Sequence, residues 1–353
     1  MRNIFLVALT FIVFLFTACN DDDSPVPAAP GVYVVGYENL DDEYHSQAKF
    51  WKDGVVSNLT STADYGTAND VFVSGQDVYV VGSVGSPSPL QPTIWKNGKS
   101  AKLGVTNTGI GGSATHIVTS GKDVYAIGFI YDANYGQHAT LWKNGEVSLM
   151  QEKTNIYFEG LAVSGSDVYV GGTEYVNSKG VATIWKNGVA SRIGPVEGST
   201  YTGIHDITIA GADVYVVGVR TQGGSGSEAV VWKNGVVTGV LATGTQQLDL
   251  NDIYVSGTDV YVAGFVDDGK HGSGVVWKNG VATELTDPST HSSASSVCVV
   301  GDDVYVGGFI SQYYLENGSG RIYRSAKVWK NGVLTNLTNS TYNSEVLSIF
   351  VVK

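Results

Sequence analysis

Cysteine, positive charge and helical periodicity are all scarce in this 353-residue chain, and each shortage closes off a class of protein. The two cysteines, Cys19 and Cys298, stand in settings too different for a disulfide framework. Cys298 falls within a predicted strand and reads as a buried structural thiol rather than a nucleophile. Lysine and arginine total 21 against 33 acidic residues, giving a net charge of -12 and a pI near 4.8. Such a field repels phosphate backbones and anionic headgroups, so nucleic acid is not an expected partner. Charged residues make up only 15% of the chain and hydrophobic ones 43%, a globular rather than a disordered composition. No apolar spacing of helical period competes with the strand-like runs. The chain also lacks GxSxG, P-loop, HExxH and EF-hand patterns.

The first thirty residues read as targeting rather than structure. Arg2 precedes an apolar run from Ile4 to Phe16, which suits a signal h-region and is short for a membrane span. Phe16-Thr17-Ala18-Cys19 resembles a bacterial lipobox, which implies acylation of Cys19 as the mature N-terminus. The acidic stretch Asn20 to Asp23 is similar to the export signal of surface lipoproteins in Bacteroidetes-type bacteria, and SPVPAAP (Ser24 to Pro30) suits a semi-rigid spacer. The expected organisation is a signal peptide over 1–18, a lipidated cysteine with acidic, Pro-rich linker over 19–30, and one domain over 31–353. An exported protein lipid-anchored to the outer membrane, facing the periplasm or the cell surface, is the corresponding expectation; the competing one is an ordinary secretory peptide with a chance cysteine.

The domain is a repeat. All seven tryptophans, Trp51, Trp95, Trp142, Trp185, Trp232, Trp277 and Trp329, begin WKNG or, at Trp51, WKDG. A second pattern, VYVVG and variants, places Tyr33, Tyr79, Tyr125, Tyr169, Tyr215, Tyr261 and Tyr305 at intervals of 44 to 46 residues, the period of a propeller blade. One unit offers four short strands, A to D: DVFVSG, QDVYVVG, PTIWKNG and KSAKL, between Asp70 and Leu103. Gly75 suits the first central position of a type II′ hairpin, and Asn97-Gly98 suits type I′. A small or compact residue stands three before each tryptophan (Ala48, Pro92, Ala139, Ala182, Ala229, Gly274, Ala326), so the indole reads as a wedge between close-packed blades, with an aromatic ligand box as the alternative. The domain opens at strand B, GVYVVG, while SEVLSIFVVK at the C-terminus aligns with strand A of blade two. The last strand is therefore expected to complete blade one and remove an open sheet edge.

The set of an apolar residue, Trp, Asn-Gly and a following Leu resembles extracellular HAF-type propeller repeats. VYVGG at Val304 to Gly308 is similar to kelch, although paired glycines follow this strand only at Gly171-Gly172 and Gly307-Gly308. The resemblance implies an all-β, seven-bladed propeller of four-stranded antiparallel blades over Gly31 to Lys353, and no particular ligand.

Such a ring has one face of A–B and C–D turns, carrying repeated Asp (Asp77 to Asp303) and Lys (Lys52 to Lys330) that read as turn chemistry and solvated charge or as an ionic ring. The other face holds every variable loop, and binding usually resides in variable loops on a rigid scaffold. Tyr65, Tyr131, Tyr135, Tyr157, Tyr175 and Tyr201 are assigned to those loops, as contact residues or as shields of loop backbone. Two long B–C loops meet where blades one and seven adjoin. Tyr37, Glu38, Asp41, Tyr44 and His45 are expected to face Tyr313, Tyr314, Glu316, Arg321 and Tyr323 as a composite ligand site, unless the insertions are merely tolerated there.

Asp70, His116, Asp206 and Asp252, read as opening their A strands, are expected to line the central channel. Hydrated lining is the simpler reading, and a structural Ca²⁺ on these carboxylates the other. No organic cofactor and no metal site is otherwise expected. The functional expectation is a monomeric, noncatalytic binding or scaffold protein for an extracellular glycan or protein, touching the membrane through its lipid anchor alone. The alternative is a carbohydrate-active enzyme using loop carboxylates such as Asp41, Asp42, Asp267, Asp268 or Glu316.

Overall fold

A computed structural model describes residues 29–353, apart from 42–44, 86–88, 107–108, 152–153, 195–198, 223–225, 245–246, 268, 270–271, 288, 317–318 and 339–341. Cys19 and the targeting segment lie outside the described residues, as do Asp42, Tyr44 and Asp268 and the side chains of Tyr314 and Glu316. The described residues form seven four-stranded antiparallel sheets. In blade two, strand A is Tyr65–Ser74, B is Asp77–Gly85, C is Gln91–Lys96 and D is Lys99–Lys102. The other blades repeat this order. Strand A faces the axis, and D, exposed at every position in blade two, faces outward.

Closure follows the sequence expectation. Ser344–Val352 pairs antiparallel with Gly31–Asn39, with Phe350 opposite Tyr33 and Ile349 opposite Val34, and so supplies strand A of blade one. Val346 and Ile349 pack in one buried cluster with Val34, Trp51 and Ala326, so the seam between blades one and seven has a core of its own. The tryptophans are at most 3% exposed, and Ala48, Ala139, Ala182, Ala229 and Ala326 at most 1%. Small residues let the indole of one blade press against the next, burying some ~150 to 250 Å² each. Trp95 Nε1 donates to the Leu59 carbonyl (3.2 Å) and Trp142 Nε1 to that of Gly104 (2.7 Å), each just beyond strand D of the preceding blade.

Strand A departs from expectation at its start. It begins at Tyr65 rather than Asp70, and Asp70 instead follows a β-bulge after Ala68. The bulge recurs in every blade, bringing His116, Gly160, Asp206, Asp252, Ser296 and Ser348 to the same place. Two residues oppose one there, so period-two alternation is lost and the strand seems to stop. The bulge also accounts for the glycine ending VYVVG, because the backbones approach so closely that a Cβ on Gly82 would lie 1.9 Å from the Thr67 carbonyl oxygen.

The turn face is uniform. In blade two Asn97, at φ +51°, donates through Nδ2 to Asp77 Oδ1 (2.8 Å) and accepts the Val78 N–H (2.8 Å). Lys96 Nζ reaches Asp77 Oδ2 at 2.6 Å and lies 5.2 Å from the Tyr79 ring centre. The same ion pair recurs in the other blades of repeating Asp, from Lys143–Asp123 to Lys330–Asp303, at 2.7 to 2.8 Å. Hydrogen bonds from these lysines hold the aspartates below the usual carboxylate range.

On the opposite face, the tyrosine assignment needs correcting. Tyr65, Tyr131, Tyr157, Tyr175 and Tyr201 are strand residues, and only Tyr135 sits in a turn. The hairpins are longer than the shared repeat, and tyrosine favours the strand ends that extend them. Tyr175 packs on both Tyr157 and Tyr201, at 5.9 and 6.3 Å between ring centres.

Candidate functional site

Two concave regions hold the residues of interest: the axial channel and a cleft at the blade-one/blade-seven seam. The channel encloses a cavity of about 200 Å³. Its bulge side chains bind the amide of the next blade. Asp70 Oδ2 accepts from Ile117 N (2.8 Å), Asp206 Oδ2 from Ile253 N (3.0 Å) and Asp252 Oδ2 from Val297 N (2.7 Å). Ser296 and Ser348 continue the pattern to Ile349 and Val71 at 3.3 and 3.4 Å. The chain of bonds lapses after His116 and at Gly160, where a Cβ would stand 2.7 Å from Asp206 Oδ1 and from the Ile207 nitrogen.

Burial pushes Asp70 up to about 7 and His116 down to about 4, so the imidazole is neutral. Burial and then the Asp252 carboxylate hold Asp206 well above the ordinary range, and Asp252 is raised by burial as well. All four expected lining residues thus reach the channel. Their oxygens accept from neighbouring amides and from the Ser348 and Ser296 hydroxyls, and no group of three or more His, Cys, Asp or Glu is arranged to hold a metal among the described residues. The channel carboxylates therefore do not fit the Ca²⁺ reading and instead fasten blade to blade. Buried Cys298 has its thiol pushed up to about 11 by desolvation, the state of an inert structural cysteine.

The seam is formed by a tall hairpin. Strand B of blade seven runs Asp303–Glu316 and C runs Ser319–Lys330, paired to their tip, so the expected loop is mostly sheet. Beside it lies a cavity of about 650 Å³, lined by Tyr37, Asn39 and Ser46 from blade one, Asn343 just before its A strand, Ile322 and Arg324 from the hairpin, and Thr67, His291 and Ser311. A second cavity of about 390 Å³ adjoins it, sharing Asn39, Ile322 and Asn343 and adding Asp41, Arg321 and Tyr323.

Arg324 is the fixed point of this cleft. Its backbone N–H is bound by Asn343 Oδ1 (2.9 Å), its Nη1 is paired with Glu345, and its guanidinium lies 4.6 Å from the Phe309 ring centre. The Tyr37 hydroxyl joins the same cluster, and burial followed by the Glu345 charge raises it above the ordinary range. His291 stacks on Phe309 at 6.2 Å between ring centres and lies tilted against Phe265 at 5.4 Å.

Of the expected blade-one residues, Tyr37 and Asp41 face blade seven. Glu38 and His45 do not: Glu38 pairs with buried Lys49 (3.0 Å), and His45 stacks on Tyr65 of blade two (4.2 Å). Neighbouring strand residues point to opposite faces, so Tyr37 and Glu38 cannot serve one side together. From blade seven, Arg321 and Tyr323 enter the smaller cavity, with Arg321 Nη1 donating to the Tyr323 hydroxyl at 3.2 Å, while Tyr313 is 66% exposed on the hairpin. Arg324, Glu345, Asn343 and His291 were not singled out by sequence reasoning. Arg324 carried a usable signal, since the chain has five arginines (Arg2, Arg192, Arg220, Arg321, Arg324) and two stand in this one hairpin.

No protein-family model and no curated protein matches the chain. Solved structures share its fold. The β-propeller domain of the trilobed protease from Pyrococcus furiosus, described as having an open velcro topology, aligns at TM-score 0.52 and 12% identity over 90% of this chain and 97% of that one. A puromycin-hydrolysing peptidase from Mycobacterium tuberculosis aligns at 0.54 and 8% identity over 87% of this chain and 52% of that one. TolB from Acinetobacter baumannii aligns at 0.47 and 14% identity over 71% and 61%, so this chain spans less than two thirds of the TolB chain and about half of the peptidase. The two alignments above 0.5 agree with the β-propeller fold, whose seven blades are this chain's own seven sheets, and carry no activity with them.

Proposed function

We propose that the protein is a noncatalytic binding protein of the cell envelope, exported and anchored through Cys19, which takes an extracellular saccharide in the seam cleft. The observation that carries this reading is the lining of the 650 Å³ cavity: amides and hydroxyls of Asn39, Asn343, Ser46, Thr67 and Ser311 beside the Tyr37 ring. A pocket that orients a polyol needs convergent donors and acceptors with an aromatic surface. A glycosidase places two carboxylates across its substrate. Among the described residues, the seam carboxylates have basic neighbours instead, Glu345 being held by Arg324 and Asp41 lying 3.6 Å from His45.

The geometry of the chain's entry supports display. Gly31, paired with Val352 and abutting Asp53 of the first C–D turn, lies at the turn face. An anchor preceding it would hold that face toward the membrane and leave the cleft pointing away. Screening the purified protein against a glycan array, together with Ile322→Ala, Asn343→Ala and the turn-face control Lys122→Ala, tests the proposal. Binding that falls in the first two variants and persists in the third supports it. Binding untouched by either cleft variant overturns it.

A further inference from the structure

Resting on the reading of the seam as a saccharide site, we infer that its ligand is acidic, a carboxylate-bearing sugar whose carboxylate is received by Arg324. The protein is strongly acidic overall, yet Arg324 is the one formally charged residue among those lining the larger cavity, histidine aside. Glu345, which neutralises it in part, is buried behind it and is not among the lining residues. The Arg324 side chain stays about half exposed (49%) while Glu345 keeps only 10%. The guanidinium is thus held by Glu345 and Phe309, neither of which lines the cavity, and by Tyr37, which lines it beside Arg324.

A braced, planar fork of donors matches the two oxygens of a carboxylate, and a ligand gains most from an arginine that loses little freedom on binding. Hydroxyl and amide groups around the fork distinguish a sugar acid from an acidic peptide, which would offer few hydroxyls to meet Asn39, Ser46 and Asn343. Arg321 stands three residues before Arg324 on the same strand, so its side chain leaves the opposite face and lines only the adjoining cavity, which leaves Arg324 as the cation of the larger one.

The test is calorimetric titration of the whole protein with an oligouronate of four to six units, the same oligosaccharide with its carboxyls reduced to alcohols, a sulfated counterpart and an oligoglutamate peptide. The oligouronate is expected to bind best. Arg324→Gln should weaken it about ten- to hundredfold, as loss of a charge-assisted hydrogen bond implies, and leave the reduced sugar unchanged. Arg324→Lys should fall between, because it keeps the charge and loses the fork, and thermal unfolding of both variants within a few degrees of the parent would confirm that they fold. Equal binding of the acid and its reduced form, with Asn343→Ala weakening both, overturns the acidic ligand while leaving the saccharide site standing. Preference for the sulfated sugar or the peptide also overturns it. Failure of every saccharide to bind overturns both readings.

Discussion

The turn face and the seam are built from the same repeat and reach opposite ends. On the turn face, the Asp, Tyr, Lys and Asn of blades two to seven form one cluster copied around the ring, Lys96 with Asp77 in blade two and Lys330 with Asp303 in blade seven. At the seam the copies diverge: among the described residues, blade seven's hairpin outgrows the others, and only here do an arginine, a buried glutamate and a tyrosine interlock across a blade boundary. Repetition therefore marks scaffold and departure from it marks the site. The reason is physical. A turn that must close seven times needs the same local chemistry each time, whereas a ligand meets the ring at one place.

The strongest way to break the comparison is to open the ring at the boundary that carries the cleft. Ile349, 4% exposed, packs with Val34 and Trp51 in the seam core. Ile349→Ala should cost roughly 2 to 5 kcal/mol through lost burial and the cavity left behind. Removing 344–353 entirely should abolish cooperative unfolding, since blade one would lose its inner strand. Urea titration followed by tryptophan fluorescence measures both. A truncated protein as stable as the parent would mean that the seam is not where the ring closes.

Next in size is the channel, where the seven bulges meet. Asp70 is raised from its ordinary value to about 7, so the folded protein holds a proton that the unfolded chain releases near 4. The sign follows: this contribution is fully present below about pH 4, and stability falls as pH rises from there through about 7. Asp206 and Asp252, both raised, add to that slope. His116, lowered to about 4, opposes it, because its neutral form favours the fold above the ordinary imidazole value. Asp70→Asn should flatten the slope between pH 4 and 7 by at most about 4 kcal/mol, and by less to the extent that channel water solvates the carboxylate. Denaturation midpoints across that range in parent and variant decide it. An unchanged slope would place the dependence elsewhere.

Much of this architecture could be read directly from the chain. Tryptophan spacing gives the blade count, and alignment of Ser348 to Val351 with Asp70 to Val73 gives closure, because both rest on features every blade repeats. The bulge before Asp70 stayed hidden, since Gly66 and Ala68 carry weak strand propensity and the alternation fails just where two residues face one. Half of the cleft stayed hidden for a different reason. Tyr37 was found by its place in a long connection, but Glu345 comes from the far end of the chain and meets Tyr37 only through closure. His45 was misplaced because its stacking on Tyr65 depends on a neighbouring blade that no local pattern specifies.

The smallest effects separate two parts of the turn-face cluster that the sequence repeats together. Asn97 holds a left-handed φ of +51°, fastens Asp77 and accepts the Val78 amide, so Asn97→Ala gives up two hydrogen bonds and strains the turn. A loss of about 1 to 2 kcal/mol follows from that combination. Lys96→Ala removes an ion pair that is open to water and a ring contact of the same kind, and exposed pairs stabilise little. Its unfolding midpoint should be nearly that of the parent. If the lysine variant proved the more costly, the repeated charge would have to serve the ring as a whole, through repulsion among unpaired aspartates, rather than the single turn. Salt would then separate the two cases, because added ions screen such repulsion and leave the Asn97 turn untouched.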